Sequence, residues 1–134
     1  MSKKITVLVI GCGNMGASHA TAYHNHPSFN ICGLVSRGKS KDELNDSLKS
    51  NYTLFTDYKQ AIINTKPDAV CISTYPDTHK EISLFALENN CHIFLEKPIA
   101  DDLKGSREII NKAVENGKKL EIGRAHVWTP VTAW

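Results

Sequence analysis

The sequence predicts a doubly wound, three-layer α/β domain built on a parallel sheet, and three observations carry that prediction. Apolar runs of strand length alternate with stretches of helical periodicity along the chain. The first strand-like run ends in a glycine-rich turn that opens the first helical stretch, Gly11-Cys12-Gly13-Asn14-Met15-Gly16. The segment Ala69-Val70-Cys71-Ile72-Ser73 is apolar nearly throughout, as expected of a strand covered on both faces. The 134 residues suit one hydrophobic core and are too few for two domains.

Each element has a local reason. A first strand is expected over about Lys4 to Ile10, and after the glycine turn a helix over Met15 to His26, closed by Pro27-Ser28. The run from Asn30 to Val35 is the second strand, followed by the basic loop Ser36-Arg37-Gly38-Lys39-Ser40-Lys41. A short helix near Asp42 to Lys49 and a short strand Thr53-Leu54-Phe55 come next, then a helix capped by Asp57 and ending near Asn64. Lys66-Pro67-Asp68 turns the chain into the buried strand Ala69 to Ser73. Asp77 to Asn89 places Ile82, Phe85 and Ala86 on one helical face, and His92-Ile93-Phe94-Leu95 is the fifth strand. The final helix runs from Asp101 to Asn116, with Ile109, Ile110, Ala113 and Val114 in its apolar stripe and Gly117 as its stop.

Composition narrows the function classes. With 41% hydrophobic and 22% charged residues and a net charge of +2, the chain has no basic field that would point to nucleic acid. The apolar run Ile5 to Ile10 is too short for a signal core or a membrane span. A cytoplasmic protein with no membrane or nucleic-acid partner is expected. The cysteines Cys12, Cys32, Cys71 and Cys91 stand far apart, show no zinc spacing and are expected to be reduced; no metal site is predicted.

The glycine turn carries the clearest chemistry. Gly11 permits the tight turn, Gly13 lets a pyrophosphate approach the backbone, and Gly16 lets helix and strand pack closely, which is the Rossmann-type arrangement for a dinucleotide. The amides of Asn14, Met15 and Gly16 at the helix start then face the phosphates, with the helix dipole favouring negative charge. A methyltransferase binding S-adenosylmethionine carries a similar turn, but usually with an acidic residue ending the second strand. Here Val35-Ser36-Arg37 stands at that place. A serine hydroxyl and a guanidinium suit a 2′-phosphate, so NADP is slightly favoured as the NAD(P) cofactor; an ordinary solvated basic loop is the alternative.

Glu96-Lys97-Pro98 follows the fifth strand. Together with the glycine turn, Gly16-Ala17-Ser18-His19, Ser73-Thr74-Tyr75-Pro76 and His79, it makes residues 3 to about 120 resemble the N-terminal NAD(P)-binding domain of the Gfo/Idh/MocA oxidoreductases. The resemblance implies that Lys97 is catalytic, its ammonium beside the nicotinamide and the substrate hydroxyl. It implies further that Glu96 orients Lys97, and that Ser73, Thr74, Tyr75 and His79 line the cofactor's ribose and nicotinamide side. The parent would be an NAD(P)-dependent oxidoreductase acting on a sugar, inositol or polyol, a homo-oligomer with a second, substrate-binding domain. A non-catalytic NAD(P)-binding or redox-sensing module is the other reading. His19 is expected to be structural, His24, His26 and His92 have no partner at informative spacing, and Asp101 and Asp102 read as helix caps rather than a carboxylate pair.

The last residues depart from this pattern. Ile122-Gly123-Arg124-Ala125-His126-Val127-Trp128-Thr129-Pro130-Val131-Thr132 resembles a translated sequencing-library adapter with TGA read as tryptophan. The expected division is therefore a nucleotide-binding domain over 1–120 and an artefactual tail over 121–134. The expected strand order is 3-2-1-4-5, with the sixth, edge strand and the substrate domain missing and the sheet edge left unpaired.

Overall fold

The computed structural model describes residues 3–123, together with the backbone of 128–131. His126, with the rest of 124–127 and 132–134, lies outside the described residues. In chain order the elements are β1 (Ile5–Ile10), α1 (Asn14–Asn25), β2 (Phe29–Val35), α2 (Ser40–Ser47), β3 (Leu54–Phe55) and α3 (Tyr58–Thr65). They continue with β4 (Ala69–Ile72), α4 (Pro76–Glu88), β5 (His92–Glu96), α5 (Leu103–Glu115), β6 (Leu120–Gly123) and β7 (Trp128–Val131).

The strands form one sheet in the order β3-β2-β1-β4-β5-β6-β7. The expected order 3-2-1-4-5 holds, and β1 to β6 are parallel. Strands side by side along the chain's return are joined through helices, as parallel pairing requires.

One expectation is corrected. The sixth strand is not missing: Leu120 to Gly123 pairs with Ile93 to Glu96, and β7 runs antiparallel along its other side. The local reason is alternation, since Leu120 and Ile122 are buried while Glu121 between them is exposed. The expected division at Glu121 thus falls inside a paired strand.

Period-two alternation also builds two cores, one on each face of the sheet. Leu8 and Ile10 of β1, Val70 and Ile72 of β4, and Ile93 and Leu95 of β5 meet the α3, α4 and α5 side. Val7, Val9, Cys71 and Phe94, one position out of phase, meet Ala20 of α1 and Leu44 of α2 on the other. The near-continuous apolar strands of the sequence are the direct result of this double covering.

Caps behave as read from sequence: Asp57 accepts from the Lys59 amide at 3.0 Å and Asp102 from the Gly105 amide at 2.6 Å. Pro76 begins α4 at a position where no amide is needed. All four cysteines are unbridged. No helix among the described residues is long and apolar enough to cross a membrane.

Two polar clasps set the end of the sheet remote from the strand tips. The Asp68 carboxylate accepts from the Thr6 amide at 3.0 Å and from its hydroxyl at 3.1 Å, and the Thr6 amide bond is the main reason its pKa lies below the ordinary value. His92 accepts the Lys119 amide on Nδ1 at 3.0 Å, so the turn into β6 needs an unprotonated Nδ1. Burial, then Lys118 and Lys119, hold the His92 pKa below its ordinary 6.5.

Since the depressed pKa disfavours protonation in the folded state, His92 contributes stability that is complete above about pH 6.5 and declines as pH falls toward the folded value. His92→Gln, which keeps an acceptor without a titrating group, should flatten the fall in melting temperature between about pH 7 and pH 5; an unchanged slope would contradict this. Ser83, fully buried on α4, has no hydrogen-bond partner for its hydroxyl among the described residues. Ser83→Ala should leave stability unchanged or raise it by about 1 kcal/mol in denaturant melts, and a clear loss would show that the hydroxyl is satisfied.

Candidate dinucleotide site

The connections leave β1 in opposite directions toward β2 and β4, and ligands of such sheets bind in the crevice this reversal opens at the strand ends. A cleft of about 770 Å³ lies there. Of the residues singled out from sequence, Gly11, Gly13, Asn14, Met15, Ser36, Arg37, Ser73, Thr74 and Tyr75 line it.

The glycines have separate geometric duties. Gly11 has φ +95°, and a β-carbon there would stand 2.7 Å from the Ser73 carbonyl carbon and oxygen. A methyl at Gly16 would be driven into the Gly11 carbonyl oxygen, so this glycine sits behind the cleft as the packing contact for α1. Gly13 differs: a β-carbon there would meet no heavy atom within 4 Å. It is also the helix N-cap and offers no side chain to the α1 amides, which leaves them for a ligand.

Neighbouring strands hold the turn. The Gly11 amide donates to the Val35 carbonyl and the Ser73 amide to the Ile10 carbonyl, each at 2.9 Å. The Cys12 thiol donates to the same Val35 carbonyl at 3.5 Å, and burial pushes its pKa up to about 11. At neutral pH the turn therefore carries no thiolate to repel a phosphate.

At the rim after β2 the structure separates two residues that the sequence treats alike. Ser36 spends its hydroxyl within the loop, donating to the Gly38 carbonyl at 3.0 Å and accepting from the Lys41 amide at 3.1 Å. Arg37 is exposed on the cleft, beside Ser40 at the start of α2. The rim also includes residues whose role the sequence did not reveal: Asp57, Tyr58, Glu81 and Ile82. The Tyr58 hydroxyl donates to Glu81 at 2.8 Å, and burial together with that carboxylate raises its pKa. Asp57 and Tyr58 are readable from sequence only as a cap and a helix start.

The Glu96-Lys97-Pro98 turn stands at the end of β5, apart from the residues that line the cleft. Lys97 is exposed, and its amide donates to the Gly123 carbonyl at 3.2 Å. Glu96 is buried while Lys97 is exposed, and the Glu96 carboxylate lies 2.7 Å from His19 Nε2 on α1. The physical reason is side-chain direction, since consecutive residues leaving a strand point to opposite faces. The His19 ring packs edge-on against Phe94, with centroids 4.7 Å apart, which agrees with its structural assignment.

His79 is fully buried behind the cleft wall rather than on it, with ring nitrogens near the Thr74 and Pro98 carbonyls. Among the described residues no group of histidines, cysteines and carboxylates is arranged to hold a metal.

Residues 5–124 match the family model described as an oxidoreductase family with an NAD-binding Rossmann fold. The chain is 30% identical over 123 residues to inositol 2-dehydrogenase of Rubrobacter xylanophilus, covering 89% of this chain and 34% of that protein. It is 28% identical over 120 residues to D-glucoside 3-dehydrogenase of Escherichia coli, again covering 89% of this chain and 34% of that one. Scyllo-inositol dehydrogenase from Lactobacillus casei, solved with bound NAD(H) and scyllo-inositol, shares the fold with TM-score 0.83 at 23% identity, over 90% of this chain and 36% of that one. The chain thus spans about a third of the length of these relatives.

The glycines should respond differently to the same added methyl. Gly16→Ala should cost about 1–3 kcal/mol in denaturant melts through overpacking. Gly13→Ala should leave stability within about 0.5 kcal/mol yet weaken NADH binding at least about tenfold; unchanged affinity would contradict the placement of the phosphates.

Proposed function

The chain belongs to the Gfo/Idh/MocA oxidoreductase family, and from that premise we propose that it is the nucleotide-binding part of an NAD(P)-dependent dehydrogenase. The parent enzyme acts on a secondary alcohol of a sugar, inositol or related polyol. One observation carries the dinucleotide reading: Gly13 opens both an unfilled space and an uncapped helix start onto the cleft. A pyrophosphate fits that cradle, and the amides of Asn14 and Met15 would bind it. Ser73, Thr74 and Tyr75, at the tip of β4, then stand toward the ribose and nicotinamide.

When bound, the nicotinamide supplies a hydride acceptor or donor. The protein's part is orientation and charge. The Lys97 ammonium, exposed at the end of β5, would hydrogen-bond the reacting oxygen and favour its alkoxide character as the carbon–hydrogen bond breaks. Glu96 supports the turn through His19 rather than by pairing with Lys97. The relatives' names motivate the substrate class, and the remaining residues of the active site would come from a second domain that assembles with this one, in a homo-oligomer.

We also propose a modest preference for NADP, supported now by Arg37 and Ser40 on the rim rather than by Ser36. Isothermal titration of the chain should give tighter binding of NADPH than NADH. Arg37→Ala should lower NADPH affinity about tenfold and spare NADH; equal wild-type affinities would remove the preference while leaving dinucleotide binding intact. The proposed boundary near Glu121 rests on the adapter likeness alone. Resequencing the locus downstream of the Leu120 codon tests it, and recovery of the same tail in genomic DNA would overturn it.

A further inference from the structure

We infer that His79 is a positioning residue that ties the β5 turn bearing Lys97 to the β4 loop lining the cleft, and so shapes the nicotinamide end without touching the cofactor. The inference rests on reading the cleft as a dinucleotide site and deepens that reading.

The parallel ladder between β4 and β5 ends at the pair Ile72 and Leu95. Beyond it β4 gives way to the loop Ser73 to Tyr75, while β5 stays paired with β6 through Glu96 before the turn at Lys97 and Pro98. The backbone then needs another partner to keep these loops in register. The His79 ring stands between them, with Nε2 3.0 Å from the Thr74 carbonyl oxygen and Nδ1 2.8 Å from the Pro98 carbonyl oxygen. Both carbonyls can only accept, so a neutral ring donates to one and packs against the other, and hydrogen bonds to both need both nitrogens protonated.

The ring has 0% exposure, which separates this work from ligand contact and leaves little freedom to the tether. Its place follows from local structure. Tyr75 caps α4 and Pro76 opens it, so His79 falls on the first turn of the helix, one turn in from the Thr74 backbone. Each loop has a second anchor that limits where the tether can pull. Thr74 Oγ1 lies 2.6 Å from Thr78 Oγ1, whose hydroxyl donates to the Tyr75 carbonyl. On the other loop, the Glu96 carboxylate is held by His19 and the Lys97 amide by Gly123. The exposed ammonium is thus carried on a turn anchored from α1, β6 and α4.

The test compares two ligands on this chain. ADP-ribose lacks the nicotinamide and needs the glycine turn, whereas NADH also needs the β4 and β5 loops. In fluorescence and calorimetric titrations the wild-type chain should bind NADH more tightly than ADP-ribose. His79→Ala should lose about fivefold or more in NADH affinity while ADP-ribose stays within roughly twofold. His79→Gln, which retains a donor and most of the volume, should recover part of the loss.

A parallel weakening of both ligands, or an unchanged ratio, would overturn the inference. So would unfolding of both variants in thermal melts, because the ring would then support the whole domain rather than one turn. Wild-type NADH binding no tighter than ADP-ribose would overturn it as well. Failure of the wild-type chain to bind either ligand would instead overturn the dinucleotide reading itself.

Discussion

The site depends on backbone meeting backbone where α1 lies on the turn after β1. The absent side chain of Gly16 admits the Gly11 carbonyl, and the absent side chain of Gly11 admits the backbone of Ser73. Through these two contacts α1, β1 and the tip of β4 converge without intervening atoms, and the helix start reaches the middle of the strand ends. Any side chain in this stack would push the helix away from the sheet and close or distort the cleft. Gly13 belongs to the same motif but serves the opposite purpose, since its open surroundings face a ligand rather than the protein.

The rest of the architecture keeps those contacts rigid. Two apolar cores on opposite faces of the sheet clamp β1, β4 and β5, so the strand tips cannot shift independently. The tips themselves are then joined by polar side chains from helices: His79 spans the β4 and β5 loops, while His19 holds Glu96. Lys97, to which the proposed function gives the reacting oxygen, stays exposed on a turn whose backbone is held. Such a division, with buried groups fixing the frame and an exposed group left to react, is what preorganisation of a charged residue requires.

Much of this was legible from local pattern. The near-continuous apolar run Ala69 to Ser73 marked a strand covered on both faces, Asp57 and Asp102 marked helix starts, and the glycine spacing located the cleft. What escaped depends on residues far apart in sequence. Glu96 and His19 are separated by 77 positions, so nothing beside Glu96 discloses that its partner is an imidazole rather than Lys97. The family resemblance places His79 on the cofactor side, but one helical turn carries the ring inward, into full burial. Ser36 adjoins Arg37 in sequence and offers the same phosphate a hydroxyl, although that hydroxyl closes its own loop. The sixth strand is only four residues long and merges with the adapter-like stretch, which hid the alternation of Leu120 and Ile122.

Family membership and site geometry converge on one claim, that the Gly11 to Gly16 turn is where a dinucleotide binds. Backbone amide NMR of the labelled chain, titrated with ADP-ribose, tests it most directly. The largest shift changes are expected at Gly13, Asn14, Met15 and Gly16, with smaller ones at Ser36, Arg37 and Ser73. Changes centred instead on the surface groove between α4 and α5, around Leu84 and Asn111, or absent altogether at saturating ligand, would contradict it.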